Sequence, residues 1–428
     1  MTNNRKLTVF ICAAAIIFTI IIKILPVIYF SKGKSALERG DYPAACVNLS
    51  KAHYLNRKNK DYRYYYVQAL SNMTPTVRVQ KELYQIANSK EDDSAKNLAM
   101  KTVSKLKYSI TQGIGDNYIE QVPFNNGILR WDNSSFPLKV AFINKVNAPD
   151  YYRTEVMKAF AQWQVSTNYL TFTIVDNPEN ANIIVSIEAT PQDLCQGNVC
   201  QYVVGQTTPK INGSRLESMS ITIYNKDVYG NYFLDKELYN TVLHEIGHAL
   251  GIMGHSYNPD DIMYMSTNSD AGYYAPFRSA FQSLTSRDVN TVLLLYKLIP
   301  NITNVENPDI KGLIYAPIIL GTQKEITNRK IYEAQQYIKN APELSGGYID
   351  LAIAYADSGK FDDAISNMKK AVSLSKNDNE QYIAYYNLAA LYLNTGKYND
   401  ALDNAQKAQS ISNCAEIQEL IANIKKNK

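Results

Sequence analysis

The chain opens on an unbroken apolar stretch. From Leu7 to Phe30 only Lys23 is charged. Those 24 residues would make a helix about 36 Å long, enough to cross a bilayer. Residues 1–30 therefore read as a short tail and a transmembrane anchor. A cleaved signal peptide is the rival, since Arg5 and Lys6 precede the run, but no small-x-small site follows it. The simplest orientation leaves the six-residue head inside and the rest of a single-pass protein outside the cell. Beyond the run the apolar period changes twice. Residues 31–109 carry helical spacing. Over Ile110–Leu298 period-two stretches appear: Pro137–Ile143, Leu170–Val175, Asn182–Glu188 and Met219–Asn225 read as strands. Helical runs at Thr154–Thr167 and Glu237–Leu250 alternate with them, and Thr285-Ser286-Arg287-Asp288 is a capping-box pattern before a further apolar helix. Residues 301–330, with Pro308 and Pro317, read as a linker, and helical spacing returns over 331–428.

The two helical regions share a spacing. Gly359, Phe361, Ala364 and Ala371 recur as Gly396, Tyr398, Ala401 and Ala408, and Gly40, Tyr42, Ala45 and Ala52 repeat the register near the N-terminus. A glycine that ends one helix, an aromatic between the pair and two alanines at the crossing resemble tetratricopeptide repeats (TPR). The resemblance implies stacked helix pairs that bind a protein partner on a concave face. Cys414–Lys428 reads as the capping helix. His53 lies in the N-terminal repeat, far from the other histidines, and reads as a helix-face residue.

Composition narrows the picture further. A net charge of +4 over 428 residues, with no Lys/Arg run, gives no reason to expect nucleic acid. Of the five cysteines, Cys195 and Cys200 frame CQGNVC. They are either a local disulfide, if this part lies outside the cell, or two separate thiols.

Three of the four histidines fall within HEIGHALGIMGHS, His244 to Ser256. On a helix, His244 and His248 share one face and can offer two imidazoles to one ion. Glu245 beside them can take a proton from a metal-bound water, and a catalytic zinc needs three protein ligands and one open position. Gly251 can end the helix and turn the chain back toward a third ligand, His255, with Met263 eight residues further on.

This layout resembles the metzincins, whose pattern is H-E-x-x-H-x-x-G-x-x-H followed by a Met-turn, and within them the matrixins. The segments RW, PLKVAF, AFAQW, LTFTIV, DIMYM and LTSRDVNTVLLLY fall in that family's order across Ile110–Leu298. The resemblance implies one catalytic Zn2+ held by His244, His248 and His255, with Glu245 as general base and acid. It implies Met263 as the apolar floor, which is not a ligand. One residue departs from the pattern: Ile252-Met253-Gly254 separates Gly251 from His255, one more than the family spacing. Either Gly254 folds the extra residue into a bulge, through backbone angles closed to other residues, or the site has decayed. The survival of base, helix ligands and Met-turn together favours the bulge. No cysteine-switch segment is present, and scattered Asp and Asn residues define no Ca2+ site.

The expected fold is α/β (α+β): a metzincin-like catalytic domain over 110–300, with a mixed sheet and a zinc-binding helix, flanked by all-α TPR-like repeats and an N-terminal transmembrane helix. The expected function is that of a membrane-anchored zinc endopeptidase cleaving extended polypeptide. The alternative is a TPR-based membrane adaptor with an inert peptidase-like domain. A substrate would add as a strand beside Met219–Asn225, taken as the sheet edge, and Ser266–Leu284 would wall its side-chain pocket.

Overall fold

The structure is a computed structural model. It describes residues 23–191, 204–227, 230–256, 258, 260–264 and 280–428, with the backbone of 195–196 and 199–200. Two compact units divide the chain. One holds the described residues up to Ile114 together with Asp309–Ile319, and the other holds Gly115–Pro308 and Leu320–Lys428.

The first unit is helical: α1 (Leu25–Glu38), α2 (Tyr42–Leu55), α3 (Lys60–Ser71), α4 (Val77–Ala87) and α5 (Ser94–Gln112). Here the transmembrane expectation is corrected. Among the described residues no helix is long and apolar enough to cross a membrane. The helix α1 has 14 residues and runs past Phe30 through Lys32 and Lys34. Val27 and Ile28 are exposed, and its other face packs on α2 and α3. The Phe30 ring lies 4.6 Å from that of Tyr62 and 5.4 Å from that of Tyr65, and Gly33 lies so close to Leu49 that a Cβ would meet its Cγ at 2.6 Å. Hydropathy does not separate packing of this kind from lipid contact. Residues 7–22 of the expected span lie outside the described residues. Within the expected linker, Tyr315 N–H donates to Gln80 Oε1 at 2.9 Å, and the Tyr315 and Tyr84 rings meet edge-on. Residues 309–319 thus close onto α4. His53, on α2, stacks on Tyr66.

Three hairpins end their first helix in the same way: α1/α2 and, in the second unit, α10 (Ser345–Asp357)/α11 (Phe361–Leu374) and α12 (Asp378–Asn394)/α13 (Tyr398–Ile411). Gly40, Gly359 and Gly396 take φ of +76°, +76° and +71°. In each, the next residue donates its N–H five residues back, Asp41 to Ala36, Lys360 to Tyr355 and Lys397 to Tyr392, all at 2.9 Å. Only a residue without Cβ makes this left-handed turn cheaply. The alanines that follow, Ala45, Ala364 and Ala401, then Ala52, Ala371 and Ala408, are all fully buried, where small side chains bring two helices together. These hairpins are TPR-like. They are preceded by α9 (Gln323–Asn340) and covered by α14 (Ala415–Asn427), whose Ile417 and Ile424 join the buried cluster of Met368 and Leu388.

The rest of the second unit is a mixed α/β domain. Its elements are β1 (Leu138–Asn144), α6 (Tyr151–Thr167), β2 (Phe172–Ile174), β3 (Ile183–Glu188), β4 (Gly205–Asn212), β5 (Arg215–Tyr224), α7 (Asp235–Ala249) and α8 (Ser286–Leu295). The strands lie in the order β2-β1-β3-β5-β4. The first four are parallel, and β4 runs antiparallel to β5. The stretch expected at the sheet edge is therefore interior: Met219 of β5 lies opposite Ile183 on one side and Pro209 on the other. The outer strand on that side is β4, GQTTPKIN. Its burial alternates, with Gln206, Thr208 and Lys210 exposed and Thr207, Pro209 and Ile211 half-buried, but its inward positions include Gly, Thr and Pro, so the sequence shows little apolar alternation. The two tryptophans pin α7 beneath the sheet. Trp163 Nε1 donates to Leu243 O at 2.8 Å and Trp131 Nε1 to Ala249 O at 2.9 Å, and both rings are fully buried. The backbone of Cys195 lies opposite that of Cys200 in a short antiparallel ladder; their side chains, and hence the disulfide expectation, lie outside the described residues.

Candidate active site

Acidic residues Asp235 and Glu237 occupy the first turn of α7, where they complement the helix dipole. Leu238, Val242, Leu243 and Ile246 then bury one face, and His244 and His248 follow one turn apart. The helix ends at Gly251, which has φ of +108°. A Cβ there would stand 2.3 Å from Leu129 O, so both backbone angle and close approach require glycine.

The turn brings His255 back. The ring centroids of His244, His248 and His255 lie 4.8, 4.9 and 5.2 Å apart pairwise, and one ligand atom from each lies within 4.8 Å of the others. His244 Nδ1 is 2.7 Å from Ile262 O, and His248 Nδ1 is 2.5 Å from Ile252 O. A proton on each Nδ1 leaves Nε2 as a free lone pair aimed at the centre. Burial and the neighbouring rings favour neutral imidazoles. Burial lowers His244; burial, then His244, takes His248 down to about 4; burial, then the other two rings, takes His255 down to about 2. Neutral imidazoles in fixed tautomers are the donor set a zinc ion takes, so these residues fit the metal. Glu245 is buried on the same helix, and burial raises its carboxyl. Its Oε2 accepts from Thr207 Oγ1 at 2.7 Å.

The extra residue sits in a segment held from outside. Met253 N–H donates to Val122 O at 3.2 Å. A Cβ on Gly254 would lie 1.7 Å from Gln121 O. The reason for glycine here differs from the one expected. Gly254 is not among the positive-φ residues; it is required because two backbones nearly touch. Segment 119–122 is in turn gripped by α9, with Gln121 Nε2 donating to Glu333 and Arg329 Nε donating to Glu120 at 3.1 Å.

Past His255 the chain closes on itself. Ser256 N–H donates to Met263 O at 2.8 Å. Met263 is fully buried under Gly247, where a Cβ would meet its Sδ at 2.2 Å, so the second x of H-E-x-x-H must be glycine here. Asp261 and Asp288 hold the Met-turn. Asp261 accepts from Ser256 Oγ at 2.5 Å and Thr285 Oγ1 at 2.8 Å and pairs with Arg287 at 3.0 Å. Asp288 accepts from Tyr118 OH at 2.6 Å and Ile262 N at 3.1 Å. The capping box was legible in the sequence; the second task of its carboxylate, holding the residue before Met263, was not. Thr207, Gly247 and Gln121 left no pattern to find. Most of the expected pocket wall, Ser266–Leu284, lies outside the described residues.

Two helix histidines flanking a glutamate, a third histidine from the following turn, a buried methionine and a five-stranded mixed sheet alongside are similar in layout to a metzincin-type metallopeptidase site. Residues 130–297 match the family model Peptidase_M10, matrixin, a span that takes in the sheet, α7 and α8. No curated protein matches the sequence. Among solved structures, the TPR2AB domain of yeast Sti1 in its pHSP90 complex aligns over 94% of this chain and 98% of that chain, at 12% identity and a TM-score of 0.21.

Proposed function

We propose that the chain is a zinc endopeptidase acting on extended polypeptide, and that its helical repeats bind a protein partner. One observation carries the reading: within the matrixin match, three imidazoles converge beside a buried glutamate, two with their outer nitrogens fixed by backbone carbonyls. His244, His248 and His255 would hold the metal. A bound zinc would supply Lewis acidity and lower the pKa of a coordinated water to about 7. Glu245 would serve as general base toward the attacking water and as general acid toward the leaving amine. Its raised pKa suits both halves of that transfer. Met263, buried against Gly247, and the turn closed by Ser256 back the helix that carries His244 and His248. A substrate strand lies along β4, the outer strand, and adds its backbone to the sheet.

The test is Glu245→Gln in the zinc-loaded full chain, assayed on an unfolded protein. Zinc content stays at the wild-type level and hydrolysis is lost, because the substitution removes the base and keeps the ligands. Cleavage by Glu245→Gln at the wild-type rate would overturn the assignment.

A further inference from the structure

The geometry points to Thr207 as a positioning residue for Glu245, one that ties the strand on which a substrate lies to the group that takes its proton. This rests on the peptidase reading above. Thr207 Oγ1 lies 2.7 Å from Glu245 Oε2 and 3.0 Å from the Glu245 backbone oxygen. A hydroxyl has one proton, and the closer, charged acceptor takes it. Among the described residues this is the one side-chain donor to that carboxylate. A glutamate's terminal torsion is broad and has no sharp rotamer of its own. With Oε2 held, Oε1 is left in a defined direction.

The backbone of β4 is built for the contact. Gly205, two residues earlier on the same face, lies against α7: a Cβ there would meet Thr241 Cγ2 at 2.8 Å and Glu245 Cγ at 3.1 Å. Glycine lets the strand lie near enough for the hydroxyl to reach. The other end of the link is the sheet edge. Tyr224 N–H donates to Val204 O at 2.9 Å, and the register pairs Gln206 with Thr222 and Thr208 with Ser220. Antiparallel alternation then turns the N–H and C=O of Thr207 outward. The residue whose backbone meets a bound strand is the one whose side chain holds the base.

The experiment compares Thr207→Val and Thr207→Ser with wild type in the zinc-loaded full chain, measuring kcat, KM and zinc content. Urea unfolding is measured with and without Glu245→Ala. Thr207→Val lowers kcat by about tenfold to a hundredfold, with KM and zinc content unchanged, and Thr207→Ser restores most of it. Thr207→Val also lowers the urea midpoint by more in the wild-type background than beside Glu245→Ala, where only the bond to the backbone oxygen of position 245 is left to lose. Wild-type kcat in Thr207→Val, a change confined to KM or zinc content, or additive unfolding effects would each overturn the assignment. Wild-type protein that cleaves nothing removes the peptidase reading and this role together, whereas active wild type with an equally active Thr207→Val removes this role alone.

Discussion

Gly254→Ala probes whether the lengthened turn is set by contact with segment 119–122. A methyl at 254 would stand 1.7 Å from Gln121 O and 2.9 Å from its carbonyl carbon. An ordinary C···O contact is about 3.3 Å, so one backbone must yield about 1.5 Å. Neither side has a flexible end that can swing away. Gln121 N–H is bonded to Tyr118 O at 3.0 Å, Val122 N–H to Ile119 O at 3.2 Å and Met253 N–H to Val122 O at 3.2 Å. His255 is the next residue, and metal–ligand distances tolerate only about 0.2 Å. The strain should cost about 1–3 kcal/mol of stability and weaken zinc binding by about 10- to 100-fold. Competition against a chromogenic chelator, run beside urea unfolding of the full chain, reads both. Gly213→Ala is the control: φ is +61° with nothing within 4 Å, so it should cost about 1 kcal/mol and leave zinc affinity unchanged. Wild-type zinc affinity in Gly254→Ala would refute the reasoning.

His255→Ala should lower zinc affinity severely and Asp260→Ala, at an exposed position, should not; full zinc occupancy in His255→Ala would remove His255 from the ligand set. Asp261→Ala should lower stability by about 1–3 kcal/mol, read as a urea midpoint, because it removes the acceptor of the buried Ser256 hydroxyl and one partner each of Thr285 and Arg287, which keep Asp288 and Asp116. Burial pushes the Glu333 carboxyl up to about 7, against the opposing pull of Arg329. The folded state thus binds that proton more tightly than the unfolded state. Its stabilising share is complete below about 4.5 and is lost as pH rises through about 7. Glu333→Gln should therefore match wild type at pH 4 and be the more stable at pH 8 in thermal unfolding, and an equal deficit at both would contradict this.

The features legible in the sequence are those whose physics is local. His244, Glu245 and His248 announce themselves because one helical turn fixes their relation. The glycines at 40, 359 and 396 do so because a left-handed helix end has few other solutions. What could not be read depends on segments distant in sequence. In GQTTPKIN only Pro209 hints at an outer strand; its partner β5 and the helix beneath it supply the order. Gly254 was the right residue for the wrong reason: its neighbour, the Gln121 carbonyl, lies 133 residues earlier. The apolar run from Leu25 to Phe30 reads alike whether it meets lipid or Tyr62.

Pro209 gives the sheet edge a length. By the alternation that turns the Thr207 backbone outward, the backbone of position 209 faces outward too, and proline has no N–H to offer there. A strand laid on β4 can exchange both bonds with Thr207 and can only donate at Pro209. The ladder thins one pair beyond the residue that holds the base. An outer strand is equally a template for another copy of the same chain, and a missing donor is one of the devices that discourage such growth. The same imino acid thus limits how far a visiting chain is zipped to the sheet and how readily two of these molecules can polymerise through it.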